Sequence, residues 1–316
     1  MINKNFDVLV IGELNVDLIL NQIASFPSVG KEILTKKMDL TLGSSSAIFA
    51  CNLSVLNTKV TFLGRVGEDM FGEYVIKALQ KKGVDTSFII KDIEHKTGAT
   101  VVLNYGNDRA MVTHPGAMEN LSIKDITMEK LNSARHLHLS SPFLQPKIKS
   151  DIVEIFRMAK EAGLTTSLDT QWDPEEKWDL DLQKLLPHVD VFLPNEQEIQ
   201  KLTKTKSVEN AIEMLRTFTK NPIIVKKGEN GSTLFSDGRI INGETYLNDN
   251  VIDAIGAGDS FDAGCIYKYV HGYSLEDCQK FGNLMGALNT TGIGGTGAFY
   301  SFKEIEKKIQ SITKVI

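Results

Sequence analysis

Three times between His136 and Leu202 a short apolar run is followed by an amphipathic one: His136–Leu139 then Lys147–Ala162, Thr165–Leu168 then Leu180–Leu186, Val189–Leu193 then Glu196–Leu202. Strands that alternate with helices in this way pair in parallel, with the helices covering both faces of the sheet. Phe6-Asp7-Val8-Leu9-Val10-Ile11, ended by Gly12, has the largely apolar character of a strand buried on both sides. A chain of 316 residues with 42% hydrophobic content can bury a full core. The expectation is a single α/β domain.

Two stretches leave this rhythm. Asn21 to Leu42 loosens into short alternating pieces around Pro27 and Gly30. Thr100–Asn104 and Arg109–Thr113 alternate on either side of Gly106-Asn107-Asp108, which reads as a hairpin turn. Both fit strands outside the main core. Ser44-Ser45-Ser46 before Ala47–Leu56 supplies the caps and period of a helix. Val60–Leu63 reads as strand and Gly64–Gly72 as the loop into a helix over Phe71–Lys82, with Arg65 expected in a structural ion pair.

The chemistry concentrates near the C-terminal end, in Val251-Ile252-Asp253-Ala254-Ile255-Gly256-Ala257-Gly258-Asp259-Ser260-Phe261. Two glycines around one alanine allow a tight turn and close approach to a ligand, and the apolar run from Phe261 reads as the start of a buried helix. Free amides at the positive end of a helix make an anion site. A carboxylate there repels the anion unless it has a chemical task, and taking a hydroxyl proton beside a phosphoryl group is such a task.

Other polar clusters fall at strand ends. Asn15 and Asp17 lie just past the first strand, where open α/β sheets bind ligands and where an Asx turn is the alternative. Asp169-Thr170-Gln171-Trp172-Asp173-Pro174 leaves another strand with two carboxylates and an amide, fit to line a pocket or to start a turn. His136 and His138 share a strand face; with no third ligand in view they read as buried or strand-end histidines instead of a metal pair. Gly292-Ile293-Gly294-Gly295-Thr296-Gly297 spells a dinucleotide fingerprint but follows a helix, with one helix left after it, so that reading is rejected.

Taken together, Asp253-Ala-Ile-Gly-Ala-Gly-Asp259-Ser-Phe, Gly12-x-x-Asn15-x-Asp17, Asn195-x-x-Glu198 and Lys226-Lys227-Gly228-Glu229-Asn230-Gly231 resemble the motifs of the ribokinase-like sugar kinases, the PfkB carbohydrate kinase family, in that family's order from Gly12 to Gly297. The resemblance implies an α/β three-layer sandwich with a mostly parallel central sheet and a small β-sheet lid. It implies one kinase domain over 1–316, with lid insertions at about 13–42 and 97–115. It implies Asp259 as catalytic base, with Gly256, Ala257 and Gly258 forming the anion hole. Asn15, Asp17, Gly43 and Ser44 become sugar ligands. Asn195, Lys226, Lys227, Gly228, Gly231 and Asn283 become ATP-side residues, Glu198 a magnesium organiser through water, and Asp253 a contributor to a potassium site. Ser44 stands where the family has a second glycine, and Ile48 where it places an Asn that binds a ring hydroxyl. An apolar residue there favours a substrate with an apolar or reduced edge, such as a deoxy or keto-acid sugar or a larger ring, over ribose.

The implied activity is ATP-dependent phosphorylation of a sugar hydroxyl by a homodimer paired lid to lid. A nucleoside kinase and a non-catalytic sugar binder on the same fold are the alternatives, the second disfavoured by the intact Asp259. The Walker and protein-kinase catalytic-loop motifs are absent. A net charge of −5 and a pI of about 5.8 argue against nucleic acid or acidic membrane as partner. Cys51, Cys265 and Cys278 are odd in number and scattered, as expected of reduced thiols, and no apolar run approaches the ~20 residues of a membrane span. A cytoplasmic protein is expected.

Overall fold

The computed structural model describes residues 4–105, 108–246 and 251–313. The Gly106-Asn107 pair of the expected hairpin turn therefore lies outside the described residues. In chain order the strands are β1 (Phe6–Ile11), β2 (Asn15–Asn21), β3 (Lys37–Leu42), β4 (Val60–Leu63), β5 (Arg65–Gly67), β6 (Ile90–Asp92), β7 (Gly98–Tyr105), β8 (Asp108–His114), β9 (Ala134–Ser140), β10 (Thr165–Asp169), β11 (Val191–Phe192), β12 (Ile223–Lys226), β13 (Ser232–Ser236) and β14 (Arg239–Asn242). The α-helices are α1 (Ser45–Val55), α2 (Met70–Lys81), α3 (Met128–Asn132), α4 (Pro146–Glu161), α5 (Leu182–Leu185), α6 (Glu196–Thr203), α7 (Val208–Leu215), α8 (Ala257–Val270), α9 (Leu275–Asn289) and α10 (Phe302–Thr313).

Eight strands form one sheet in the order β14-β13-β12-β11-β10-β9-β1-β4. From β4 to β12 neighbours are parallel, and β12-β13-β14 is an antiparallel edge. Side-chain alternation along β1 shows how the layers form. Leu9 and Ile11 enter a core with Ile152, Ile155 and Phe156 of α4 and Ile199 of α6, while Val8 and Val10 enter one with Phe49 and Leu53 of α1, Leu79 of α2 and Ile266 of α8. Helices on both faces of a mostly parallel sheet give the three layers.

The second sheet has the order β3-β2-β7-β8, with β2 and β7 parallel and its outer pairs antiparallel. This smaller sheet is the lid, and Val16 of β2 and Leu42 of β3 join the core beside α1 and α2. β2 begins at Asn15, paired with Gly98, so Asn15 and Asp17 belong to a lid strand and not to a turn closing β1.

Several expectations need correction. The loop expected at Gly64–Gly72 contains the short strand β5, paired with β6, because its backbone finds a parallel partner at Ile90–Asp92. The β13–β14 hairpin was not foreseen, although the Asp237-Gly238 pair that joins its strands is a hairpin-turn signal. The helix expected from Phe261 begins at Ala257, four residues earlier, so Asp259 sits inside its first turn. As expected, Arg65 bridges two carboxylates, Asp92 at 3.2 Å and Asp125 at 3.0 Å.

Candidate active site

Gly256 caps α8 with φ 75°, a left-handed conformation, and a Cβ on it would lie 2.5 Å from Cα of Gly295. Only glycine fits there. A Cβ on Gly258 would meet nothing closer than Lys226 Nζ at 3.7 Å, so packing alone leaves room at this position. The amide of Ala257 turns back to Ala254 O at 3.3 Å, and that of Ser260 reaches Gly256 O. Among the described residues the amides of Gly256, Gly258 and Asp259 meet no protein acceptor. Unpaired amides at a helix start are what an anion needs.

Asp259 is buried beside these amides, and its pKa is pushed up to about 7. Burial is the main cause, the charges of Asp169 and Glu13 add to it, and Lys226 and a hydrogen bond from Ser45 oppose it. Its Oδ1 accepts a hydrogen bond from Gln171 Nε2 at 2.8 Å.

The same amide nitrogen donates to Asp169 Oδ2 at 2.6 Å, and that oxygen also takes Lys226 Nζ at 2.9 Å. Lys226 in turn reaches Asp262 Oδ2 at 3.0 Å. Burial works against the Lys226 charge, but Asp169, Asp262 and Glu198 outweigh it and hold the ammonium well above its usual range. Asp169 is likewise buried, yet Lys226 keeps it below the ordinary carboxylate value, whereas burial pushes Asp262 well above it. Asp169 is thus the charged carboxylate of the pair.

Lid and body meet at the start of α1. Asn15 Nδ2 donates to Asp17 Oδ1 at 3.1 Å and to Thr100 Oγ1 at 3.0 Å, and a Cβ on Gly43 would lie 2.4 Å from Asp17 Oδ1. Burial, opposed by the Asn15 hydrogen bond, pushes Asp17 up to about 6. Ser44 keeps a left-handed backbone (φ 73°) without being glycine. Its hydroxyl accepts from Ala47 N at 2.9 Å and donates to Glu13 O at 2.6 Å. Glu13 is buried against Ser46, and burial pushes its carboxyl up to about 7. Asn52, in the second half of α1, ties that helix to the first turn of α8 and to the glycine-rich loop, donating to Ser260 Oγ at 2.9 Å and Gly295 O at 2.8 Å. Ile48 is buried against Gly256 and Gly295.

At the start of α8 a cavity of about 410 Å³ is lined by Lys226, Gly228, Gly231, Ala257, Gly258 and Asn283, among others. Lys227 is not in that lining; its amide closes the turn onto Gly231 O at 2.8 Å. Asn283 Nδ2 holds Glu244 O at 2.9 Å. Asn195 and Glu198 form a reciprocal capping box at the start of α6, with Asn195 Nδ2 also 2.6 Å from Glu198 Oε1. Burial, with the Asp169 charge, pushes Glu198 up to about 8. Asp253 Oδ1 takes the amide of Ile255 and Oδ2 that of Gly294, both at 2.9 Å, and so ties the signature loop to the glycine-rich one.

Sequence reasoning missed Asp262 and Glu13, and it noted Gln171 only as an amide fit to line a pocket or start a turn. For Asp262 there was a signal: an acidic residue inside the apolar run Phe261–Ile266. The paired histidines hydrogen-bond Thr165 and Ser167, His138 stacks on Phe49, and burial pushes both below the usual range. No cluster of three metal-ligating side chains occurs among the described residues, and no described helix is long and apolar enough to cross a membrane.

Comparison with known proteins adds family evidence. Residues 5–299 match the pfkB family carbohydrate kinase description. The chain is 27% identical over 323 residues to 5-dehydro-2-deoxygluconokinase of Lacticaseibacillus casei, covering 97% of this chain and 96% of that protein. It is 26% identical over 268 residues to 2-dehydro-3-deoxygluconokinase of Bacillus subtilis, covering 80% and 82% respectively. The structure of Arabidopsis thaliana ribokinase complexed with ribose and ATP superposes with a TM-score of 0.85 at 26% identity, over 96% of this chain and 99% of that one.

Proposed function

The chain belongs to the pfkB family of carbohydrate kinases, and on that premise we propose that it transfers the terminal phosphoryl group of ATP to a hydroxyl of a deoxy or keto-acid sugar. The observation that carries this reading is a buried carboxylate, Asp259, in the first turn of a helix whose starting amides are free and whose Ala257 and Gly258 line a cavity. Asp259 takes the proton of the acceptor hydroxyl as that oxygen attacks phosphorus, and the amides of Gly256, Gly258 and Asp259 receive the charge of the transferring group. Asn15 and Asp17 hold the sugar, with Gly43 allowing its close approach. Lys226, Gly228, Gly231 and Asn283 flank the nucleotide. The names of the two gluconate-type relatives and the apolar Ile48 support the substrate class.

Magnesium fits the donor set, because it binds through one or two carboxylates plus phosphate oxygens and keeps its waters. It would neutralise phosphate charge. Both oxygens of Glu198 are held by Asn195, so Glu198 would act on the ion through water. Asp253, at the junction of two glycine loops, is the candidate for a potassium site. The whole chain works as one kinase domain, with the segments at about 13–42 and 97–115 closing over the sugar.

A panel of sugars, sugar acids and nucleosides assayed for ATP consumption tests the reading. Phosphorylation of a keto-deoxy acid sugar, abolished by Asp259→Asn, is the expected result. ATP turnover with nucleosides only would replace sugar by nucleoside, and no turnover with any acceptor would leave a binding protein.

A further inference from the structure

Gln171 has backbone φ 54°, a left-handed conformation that glycine and asparagine enter readily and glutamine does not. It sits in a turn where Glu176 and Trp178 are also left-handed and non-glycine, at φ 52° each. The Asp173 carboxylate closes that turn by accepting from Glu175 N at 2.9 Å and Trp178 N at 2.7 Å. Strain of this kind persists where surrounding contacts over-determine it, and here the contacts lead to the reacting carboxylate.

A side-chain amide nitrogen has two hydrogens. Both are used, one on Asp169 Oδ2 at 2.6 Å and one on Asp259 Oδ1 at 2.8 Å. Reversing the amide would set its oxygen against carboxylate oxygens on both sides, so the donor orientation follows from the neighbours. Gln171 thereby links the α8 carboxylate to the Asp169–Lys226–Asp262 cluster that borders the cavity at the start of α8.

We propose that Gln171 is the positioning residue of the base: it pins Asp259 by Oδ1, leaving Oδ2 as the oxygen that takes the acceptor proton. The inference rests on the kinase reading and deepens it. A donor to one oxygen fixes the rotation of the carboxylate and favours its charged form over the neutral one. The charged and titratable groups around Asp259 are Asp169 on β10, Lys226 on β12, Glu198 on α6, Asp262 on its own helix and Glu13 between β1 and β2. Two of the acids, Asp169 and Glu13, oppose its ionisation directly, so the one neutral donor from outside its own loop and the α1 start is the adjustable contact.

Gln171→Gly tests this without disturbing the turn, because glycine accepts the same backbone. The variant is expected to fold as the wild type, to keep KM for ATP within about two-fold, and to move the acidic limb of kcat/KM upward by about one pH unit through loss of the hydrogen bond. Below that limb kcat falls about ten-fold and recovers at high pH. Gln171→Asn, also suited to a left-handed backbone, should fall between the two, and it decides the question if Gln171→Gly does not fold. An unmoved limb, or a loss equal at every pH, overturns the proposal while leaving the kinase reading intact. If no acceptor is ever phosphorylated, the titration of ¹³C-labelled aspartate carboxyls in the unliganded protein still decides it: an Asp259 signal titrating at the same pH in wild type and Gln171→Gly refutes the pinning.

Discussion

Lys226 Nζ lies 2.9 Å from Asp169 Oδ2, at a point where both side chains are almost wholly removed from water, and Asp262 Oδ2 lies 3.0 Å from the same nitrogen. A buried ion pair is weak evidence of net stabilisation, but removing one partner leaves an uncompensated charge. Lys226→Met should therefore cost about 3–5 kcal/mol at pH 8. Asp169, whose folded pKa is depressed by Lys226, supplies stability present above its unfolded value and lost as pH falls through the folded one. Without the lysine that stabilisation disappears and burial drives both acids neutral, so the penalty should shrink toward pH 5. Urea unfolding at the two pH values checks this; an equal penalty at both would show that the cluster does not hold its charge as described.

Asp259→Asn should lower kcat by roughly 10²-fold or more with ATP binding retained, since a positioned base contributes about 10²–10⁴. Stability should move the other way. The folded pKa of Asp259, about 7, lies above the ordinary aspartate value of 3.8, so its contribution is full below the unfolded value and is lost as pH rises through about 7. The amide is thus expected to be more stable than the wild type at pH 8 and no more stable at pH 4. Thermal unfolding at both pH values, with steady-state kinetics, reads the two effects separately; near-wild-type turnover would remove Asp259 as base.

Glu198→Gln should keep the start of α6 intact, because Gln at the third helical position can complete the same capping box. Loss of the negative charge should raise the magnesium concentration needed for half-maximal rate, with apparent sugar affinity little changed. A titration showing the reverse pattern would take Glu198 away from the metal side of the site.

The strand and helix alternation was most legible where a parallel strand is a continuous apolar run ended by a polar residue, as in Ile223–Lys226. The Asn195-x-x-Glu198 box was legible because its partners are local. Lys226 was placed beside the nucleotide, but its carboxylate partners are 57 and 36 residues away in sequence and no periodicity points to them. The true start of α8 was hidden for another reason. Glycine, alanine and aspartate carry no apolar periodicity, and the close approach of Gly256 to Gly295 sets that boundary through tertiary packing.

Strand register places Leu18, Leu20, Met38, Leu40, Val101 and Val112 on the lid face opposite Asn15, Asp17 and Thr100. Met38 is 63% and Val112 69% exposed there. An apolar sheet face with open edges is normally covered. A homodimer paired through this face is expected at micromolar concentration, and Val112→Asp should dissociate it without unfolding the body. Light scattering showing a wild-type monomer would rule the pairing out.

Ile48 stands where the family resemblance leads one to expect an Asn, and the structure buries it against Gly256 and Gly295, beside the turn that starts α8. An Asn in that position would have to find partners in a site shaped for methyl groups, at a cost of about 1–3 kcal/mol unless a ligand supplies them. A sugar hydroxyl is such a ligand. Ile48→Asn should therefore lower the stability of the unliganded protein, recover more stability than the wild type does when ribose or fructose is added, and shift kcat/KM toward those sugars relative to the native substrate. The wild type, with no polar partner at this edge, should use ribose poorly. If ribose proves its best acceptor across a broad panel, or if the variant loses stability without any shift in preference, then Ile48 only supports the turn above it and does not select the sugar.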